Sequence, residues 1–309
     1  MKVIFLGTPE FAVPALQKLT EDDFFEVCAV VTQPDRKGHR NRIEFSAVKK
    51  FALEHALPLY QFEHISDAEP AEFLRSLQAD VMVTAAYGQL LKENVLEAVR
   101  YGVFNIHGSL LPKYRGAAPI QWAVIRGEKK TGVTIMKTQR GLDCGDIYGV
   151  RETEILPEMT AGDVFTKLSV LGAELLVETL KNLKNITPIQ QNEAEATYCG
   201  KITKDFARID WSQSASEIDC FIRGLNPSPI ACTYFSGKKW KIHCAKIAEI
   251  VPPQLGERNG AFCVTDRKLY VRCADGAMEL RTIQPENGKA MSAADFINGL
   301  RVSDGCLEA

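Results

Sequence analysis

Residues 2–12 read Lys2-Val3-Ile4-Phe5-Leu6-Gly7-Thr8-Pro9-Glu10-Phe11-Ala12, a short apolar run that passes through a glycine into polar residues and a proline. The apolar run predicts a buried strand. Thr8 is a favoured helix N-cap and Pro9 is tolerated at the first helical position, so the order predicts a helix that continues to about Leu19. A strand that leads directly into a helix is the beginning of an α/β unit.

The same alternation continues through the first half of the chain. Further apolar runs predict buried strands at Glu26–Thr32, Asp80–Ala85, Val103–His107 and Gly132–Met136. Helical patterns separate these runs near Phe45–His55, Pro70–Leu77 and Pro119–Arg126. Strands that alternate with helices favour a mostly parallel sheet covered on both faces. We therefore predict an α/β fold whose first domain contains a doubly wound sheet.

The pattern changes after a long amphipathic helix predicted from about Ala161 to Leu183. Residues 184–204 are polar and show no clear periodicity. The remaining chain has one helical pattern near Ala215–Leu225 and five short strands between Ala231 and Ile283, which predicts a small OB-like β-barrel. We predict a first domain over residues 1–188, a linker over 189–205 and a second domain over 206–309.

The composition is typical of a globular protein. The chain has 309 residues, of which 46% are hydrophobic and 25% charged, and a net charge of −2. The apolar run at the beginning is too short for a signal sequence or a membrane span, so we expect a cytoplasmic protein. Nine cysteines occur without a C-x-x-C pair or zinc-site spacing. We expect free thiols and no metal site.

A polar pair interrupts the predicted strand at residues 103–107. Asn105 and His107 lie two residues apart, so on a strand they project from the same face while Phe104 and Ile106 point into the core. An amide donor can stabilise negative charge on a carbonyl oxygen, and an imidazole can transfer protons. The pair therefore predicts attack on a carbonyl group, although a purely structural pair is the alternative.

An acidic turn follows the predicted strand at residues 132–136. It reads Gly141-Leu142-Asp143-Cys144-Gly145-Asp146. By itself this is as consistent with a plain turn as with a site. Beside His107, one carboxylate can hold the imidazole and organise a water molecule for proton transfer. Cys144 lies between two acids and is a poor candidate for a nucleophile.

A basic segment follows the second predicted strand. It reads Gln33-Pro34-Asp35-Arg36-Lys37-Gly38-His39-Arg40-Asn41-Arg42. Charged segments of this kind are usually solvated. At the edge of a sheet-end site, however, the same side chains can bind phosphates through charge-assisted contacts.

Several of these segments together resemble the folate-dependent formyltransferases. The pattern consists of Asn105-x-His107, the loop Ser109–Pro112 with Arg115–Pro119, and Asp143. Within that family the chain resembles the members that formylate methionyl initiator tRNA. The blocks that carry this closer resemblance are Gly7–Ala12, Thr32–Arg36, Ala86–Leu91, Gly116–Trp122, Thr131–Met136 and Ala207–Trp211. These blocks run from the first strand into the second domain.

The resemblance implies a Rossmann-like catalytic domain and the transfer of formyl from 10-formyltetrahydrofolate to the α-amino group of methionine on initiator tRNA. It implies that Asn105 and protonated His107 stabilise the negative charge on oxygen, and that Asp143 orients His107 and moves the proton. It implies neither a metal nor a nicotinamide. We also expect a monomer that does not associate with membranes.

The resemblance also implies two groups of binding residues. Folate contacts are expected from Ser109, Leu110, Leu111, Pro112, Tyr87, Gly88, Gln89, Leu90, Gln139, Arg140 and Gly141. Contacts with tRNA are expected from Arg36, Lys37, Arg40 and Arg42. The basic segment is about one residue shorter than is usual in the family and lacks its Pro-Ala-Gly-Arg-Gly run. Arg40 is our choice for its principal arginine, with Arg36 and Arg42 as alternatives.

Several other functions must be compared with these features. A formyltransferase acting on an amino-sugar nucleotide, or a folate hydrolase or dehydrogenase module, would use the same Asn, His and Asp. A tRNA-binding protein without catalytic activity would not need all three of Asn105, His107 and Asp143. A nicotinamide dehydrogenase would need the G-x-G-x-x-G motif, which is absent after the first strand.

Overall fold

The polypeptide divides into two units that are interleaved in sequence. The computed structural model describes residues 1–37 and 43–308. The first unit comprises Met1–Pro119, Lys130–Glu154 and Phe165–Cys199, and the second comprises Ile120–Lys129, Ile155–Val164 and Gly200–Ala309. Because the short segments Ile120–Lys129 and Ile155–Val164 belong to the second unit, no single cut in the sequence separates the units.

The first 199 residues contain most of the helices and a seven-stranded sheet. In chain order the strands are β1 (Lys2–Gly7), β2 (Glu26–Thr32), β3 (Arg36–Lys37), β4 (Ile43–Glu44), β5 (Leu59–Gln61), β6 (Val81–Ala85), β7 (Val103–His107), β8 (Arg115–Gly116), β9 (Lys130–Lys137), β10 (Ile147–Glu154) and β11 (Tyr198–Cys199). The helices are α1 (Val13–Glu21), α2 (Ala47–Glu54), α3 (Ala68–Ser76), α4 (Glu93–Leu96), α5 (Pro119–Ile125) and α6 (Ala161–Lys181).

The strand order in this sheet is β10-β9-β7-β6-β1-β2-β5. Strands β5, β2, β1, β6 and β7 are parallel to one another. Strand β9 runs antiparallel to β7, and β10 runs antiparallel to β9. This confirms the predicted doubly wound, mostly parallel sheet. The direction of winding reverses between β1 and β6, and in open α/β sheets ligands bind at the carboxyl ends of the strands near such a point.

The central strands are apolar because both faces of the sheet are covered. Every residue of β6 is buried, as are residues 3–7 of β1. On one face Ile4, Leu6 and Met82 belong to a single apolar cluster. These strands therefore form a rigid base for the loops that follow them.

The predicted N-cap role of Thr8 is wrong. A 3-10 helix at Glu10–Ala12 precedes α1, and its N-cap residue is Pro9, which has no side-chain capping bond. Instead, Thr8 Oγ1 donates to the carbonyl of Tyr87 (3.2 Å) and accepts from the main-chain N–H of Gln33 (3.3 Å). Thr8 thus connects the loops after β1, β2 and β6, which a local capping pattern does not reveal.

The second unit is built around an antiparallel sheet. Its strands are β12 (Ala231–Phe235), β13 (Lys238–Ile247), β14 (Ala261–Thr265), β15 (Lys268–Cys273), β16 (Gly276–Pro285), β17 (Met291–Ser292) and β18 (Asp304–Cys306), with helices α7 (Ala215–Gly224) and α8 (Ala293–Asn298). The order is β12-β13-β16-β15-β14-β18, and β17 pairs with β16. Glu308, just after β18, donates its N–H to the carbonyl of Tyr234 on β12 (2.8 Å), so the curled sheet approaches closure. This confirms the predicted small barrel-like fold.

Among the described residues, no helix combines the length and the apolar character that crossing a membrane requires.

Candidate active site

Asn105 and His107 lie at the end of β7, the last of the parallel strands. Their spacing places both on one face of the strand, while Phe104 (1% exposed) and Ile106 (4% exposed) are buried in the core. Strand β7 is apolar apart from this pair because it lies inside the sheet between β6 and β9. The two polar side chains are therefore held on a rigid element.

Both ring nitrogens of His107 face oxygen acceptors. Nε2 lies 2.9 Å from the carbonyl oxygen of Tyr114, and Nδ1 lies 3.7 Å from Oδ2 of Asp143. A carbonyl only accepts, so Nε2 carries a proton in this arrangement. Nδ1 faces the carboxylate, so Asp143 is placed to orient the ring. The ring is buried, which keeps these electrostatic contacts from being screened by water.

Asp143 is held in an uncommon conformation. Its φ is 48°, in the left-handed region, which is uncommon for non-glycine residues although aspartate adopts it more readily than most. Its Oδ2 accepts a 2.8 Å hydrogen bond from the main-chain N–H of Gly116. The same oxygen faces His107, so one atom of Asp143 connects the acidic turn with the strand residue.

Asn105 is oriented by a neighbour on the adjacent strand. The hydroxyl of Thr84, on β6, donates to Oδ1 of Asn105 at 2.8 Å. Thr84 and Asn105 are opposite each other in the parallel register. Because the amide oxygen is engaged by Thr84, the Nδ2 donor points elsewhere and is suited to hydrogen bond with a carbonyl oxygen of a substrate.

The predicted folate loop, residues 109–112, is held by hydrogen bonds with strand β9. Buried Thr134 on β9 donates to the carbonyl of Ser109 (2.7 Å) and accepts from the N–H of Leu111 (3.2 Å). The hydroxyl of Ser109 closes the loop by donating to the carbonyl of Lys113 (2.6 Å). Leu111 is buried, and Leu110 and Pro112 are half-buried. These hydrogen bonds give the loop a defined shape.

The loop that follows β6 contains Tyr87, Gly88, Gln89 and Leu90. The carbonyl of Tyr87 accepts from Gln33 Nε2 (3.0 Å), and Gln89 binds main-chain groups at residues 62, 63 and 65. The side chain of Gln89 is thus used inside the protein, whereas Leu90 is 77% exposed. The hydroxyl of Tyr87 is buried without a partner among the described residues, and burial raises the pKa of Tyr87 well above its usual range.

The loop that follows β9 contains Gln139, Arg140 and Gly141, all exposed. Gly141 has a φ of 123°, and a Cβ there would lie 2.6 Å from the sulfur of Cys144. A larger residue would not fit this turn. Strand β9 pairs Lys137 with Phe104 and runs antiparallel to β7, so the chain leaves β9 beside the beginning of β7 and then brings Asp143 back to His107.

These loops suit a flat ligand with both polar and apolar parts. Glycines at 88 and 141 expose main-chain donors and acceptors, while Leu90 and Leu142 offer exposed apolar surface. A folate has a pterin edge that needs such donors and acceptors and a ring that needs apolar contact. The residues present therefore fit a folate.

Of the basic segment, the structure describes the part up to residue 37, and the description resumes at residue 43. Arg36 is exposed on β3, which pairs with β4, and Lys37 is the second residue of β3. Arg40 and Arg42 lie outside the described residues. Before β3, Asp35 is held by Lys49 Nζ (2.5 Å) and by Gln61 Nε2 (3.1 Å). The hydrogen bond from Lys49 holds the pKa of Asp35 below its usual value.

The sequence does not predict the burial of two polar side chains near Asp143. Arg115 is 1% exposed and Gln191 is 7% exposed. Arg115 follows the folate loop, but its burial is invisible in the sequence because arginine is usually exposed. Gln191 lies in a polar stretch without periodicity, so no sequence signal indicated its position. Within the described residues, no group of three or more His, Cys, Asp or Glu is arranged to hold a metal.

An amide donor and an imidazole at the end of β7, with a carboxylate facing the imidazole, are typical of a group-transfer enzyme that acts at a carbonyl carbon. Comparison with known families agrees with this class. The family model described as "Formyl transferase" matches residues 1–180, and that of "Formyl transferase, C-terminal domain" matches residues 201–301. The chain belongs to the formyl transferase family.

One relative of known name is similar to this chain over almost its whole length. The methionyl-tRNA formyltransferase of Ruminiclostridium cellulolyticum is 41% identical over 308 residues, which cover 99% of this chain and 98% of the relative. The similarity therefore includes both units.

Solved structures share the fold at lower identity. An N-formyltransferase from Helicobacter canadensis, in complex with folinic acid and dTDP-3-aminofucose, has a TM-score of 0.69 at 19% identity and covers 91% of this chain and 98% of its own. A methionyl-tRNA formyltransferase from Clostridium thermocellum has a TM-score of 0.59 at 18% identity and covers 80% and 94%. At this low sequence identity, the similarity shows only that the fold is shared.

Proposed function

We propose that this protein transfers the formyl group of 10-formyltetrahydrofolate to the α-amino group of methionine on initiator tRNA. The observation that carries the proposal is the 41% identity with a methionyl-tRNA formyltransferase over nearly the whole of both chains. The geometry supports it, because Asn105 and His107 share one face at the end of β7 and Nδ1 of His107 lies 3.7 Å from Oδ2 of Asp143.

In this reaction Asn105 and His107 stabilise negative charge. The neutral amine of methionine attacks the formyl carbon, and the formyl oxygen gains negative charge as the new C–N bond forms. Nδ2 of Asn105 is available to donate to that oxygen because Thr84 occupies Oδ1. The positive charge of protonated His107 stabilises the same oxygen. Removal of a hydrogen-bond donor such as the Asn105 amide typically reduces the rate by about a hundredfold or more.

Asp143 accepts the proton that the attacking amine releases. The bond between the formyl carbon and the folate nitrogen then breaks, and the folate nitrogen takes up a proton, so the overall reaction consumes and releases none. The N–H of Gly116 keeps Oδ2 of Asp143 beside His107 during these steps. We infer that a water molecule between the carboxylate and the amine serves this transfer.

The folate would lie against the three loops described above. We propose contacts from Ser109, Leu110, Leu111 and Pro112, from the main chain of Tyr87, Gly88, Gln89 and Leu90, and from Gln139, Arg140 and Gly141. The main chain is the proposed contact at Gln89 because its side-chain amide is engaged inside the protein. The formyl donor is then oriented by groups that are already in place.

For the tRNA we propose contacts from Arg36, Lys37, Arg40 and Arg42 and from the second unit. In the latter, Arg208 and Lys239 lie over the ring of Tyr234, at 5.2 and 5.8 Å from its centroid. Cations beside an aromatic ring are suited to a phosphate backbone and an exposed base. Catalysis is thus assigned to residues 1–188 and tRNA binding to 206–309 and the basic segment, in a cytoplasmic monomer.

The test is formyl transfer from 10-formyltetrahydrofolate to methionyl initiator tRNA, with an amino-sugar nucleotide in a parallel reaction and His107→Ala as the control. We expect formylated methionyl-tRNA with the wild-type protein and its loss in the variant. Formylation of the sugar alone would leave the site assignment intact and overturn the tRNA assignment. Reaction with neither acceptor would favour a protein that only binds tRNA.

A further inference from the structure

Arg115 is a buried cation with a complete set of partners. Its Nε and Nη2 donate to Oε1 of Gln191 (3.1 and 2.9 Å), and Nη1 and Nη2 donate to the two carboxylate oxygens of Glu193 (2.9 and 2.8 Å). Nη1 also donates to the hydroxyl of Tyr198 (3.3 Å). A guanidinium has five N–H donors, and these contacts use all of them. Such an arrangement holds its acceptors in one geometry.

The guanidinium determines which way the amide of Gln191 points. Since arginine has only donors, the amide atom that faces it must be the oxygen. The NH₂ group therefore points away from Arg115, and it donates to the carbonyls of Asp143 (2.9 Å) and Gly145 (2.7 Å). Both carbonyls belong to the acidic turn that presents the Asp143 carboxylate.

The same short segment of chain also holds the other side of the site. The carbonyl of Tyr114 accepts from His107, and the N–H of Gly116 donates to the carboxylate of Asp143. Arg115, between them, holds the main chain of Asp143 through Gln191. Asp143 is thus bound both at its carboxylate and at its carbonyl.

We propose that Gln191, oriented by Arg115, is a positioning residue for Asp143: it holds the acidic turn so that the carboxylate stays beside His107. This inference rests on the proposed role of Asp143 in formyl transfer. Loss of the two hydrogen bonds would let the turn relax and move the carboxylate. A displacement of about 1 Å at a reacting group can reduce the rate by about a hundredfold.

The decisive variant is Gln191→Glu. It keeps an oxygen acceptor for Arg115 but places a carboxylate oxygen where the NH₂ group faced two carbonyls. We expect kcat for formyl transfer to fall between about tenfold and a hundredfold, while KM for the folate and for the tRNA changes by less than about threefold. Gln190→Glu, at an exposed neighbour, makes the same change of charge and is expected to behave as wild type.

Two readouts separate positioning from a general loss of structure. In an Asp143→Asn background, Gln191→Glu should reduce kcat by less than about twofold further, because the group that it positions no longer accepts a proton. The N–H of Gly116 should exchange with solvent faster in Gln191→Glu than in the wild type, because its acceptor has moved. If the single variant fails to fold, Gln191→Met takes its place; it adds no charge, and it removes both the NH₂ donor and the Oε1 acceptor that faces Arg115.

The proposal is overturned if Gln191→Glu keeps the wild-type kcat, if its effect multiplies fully with that of Asp143→Asn, or if exchange at Gly116 is unchanged. Failure of the proposed function is a separate result: wild-type protein would then not formylate methionyl-tRNA. If it formylated an amino sugar instead, the same comparison of variants would be made with that acceptor.

Discussion

The main-chain N–H of Gly116 donates a 2.8 Å hydrogen bond to Oδ2 of Asp143, the oxygen that lies 3.7 Å from Nδ1 of His107. Gly116 has a φ of 121°, and a Cβ there would lie 2.2 Å from the carbonyl oxygen of Cys199. Only glycine therefore brings this N–H close to the carboxylate. The position of the proposed proton acceptor depends on a main-chain group as much as on its own side chain.

Asp143→Asn tests the carboxylate directly. The amide oxygen can still accept from Gly116, but the side chain no longer takes a proton, so we expect kcat to fall by about a hundredfold or more with little change in KM for either substrate. Asp146→Asn is the matched control in the same turn and should retain most activity. Steady-state formylation assays make the comparison, and equal losses in both variants would contradict the assignment of Asp143.

Thr84→Val tests the orientation of Asn105. The variant removes the hydroxyl that engages Oδ1 of Asn105 and leaves the amide free to rotate. We expect kcat to fall between about tenfold and a hundredfold, because the oxygen-stabilising donor is then misdirected for part of the time. Thr84→Ser, which keeps the hydroxyl, should restore most of the rate. Wild-type kcat in Thr84→Val would show that Thr84 does not orient Asn105.

Arg40→Ala tests the basic segment. Removal of one phosphate contact should raise KM for methionyl-tRNA, leave KM for 10-formyltetrahydrofolate unchanged, and reduce by about one the slope of the logarithm of tRNA affinity against the logarithm of salt concentration. Lys50→Ala, at an exposed lysine of α2, is the control. Equal increases in both KM values would place Arg40 near the folate instead.

The ion pair between Lys49 and Asp35 predicts a pH-dependent stability. Because the hydrogen bond from Lys49 lowers the pKa of folded Asp35 below its usual value of 3.8, the ionised carboxylate stabilises the folded state at neutral pH. That contribution is complete above the unfolded pKa and is lost as the pH falls through the lower folded pKa.

The comparison uses Asp35→Asn. Urea unfolding midpoints at about pH 6 and at successive steps below about pH 4 should show the wild type more stable at the higher pH, with the difference shrinking as the pH falls. A difference that is independent of pH would show that the pair does not contribute through the charge of Asp35.

Much of the fold is predictable because local patterns agree with it. Strands β2 and β7 begin and end where the sequence predicts, and α6 differs only at its last turn. Strand β5 was missed because it has only three residues, all half-buried. Strand β10 was missed because most of it is not buried, so its sequence lacks the apolar run used to detect a strand.

In the candidate site, too, some residues are predictable from the sequence and others are not. The spacing of Asn105 and His107 predicts that they share a face, and the resemblance to formyltransferases adds Asp143. No local pattern indicates that residues 139–146 return to His107, since the strand before them runs antiparallel to β7. Nor does the polar stretch after residue 184 indicate that Gln191 contacts Asp143.

The sequence by itself therefore determined the α/β class, the barrel-like second unit, the polar pair on β7 and the family. Each depends on short-range periodicity or on the order of residue types along the chain. The tertiary structure decided which atoms meet: the Gly116 N–H and the Asp143 carboxylate, and the Gln191 amide and the acidic turn. These contacts join residues far apart in sequence through hydrogen bonds of strict geometry, and such bonds leave no periodic pattern because each depends on the packing of several elements at once.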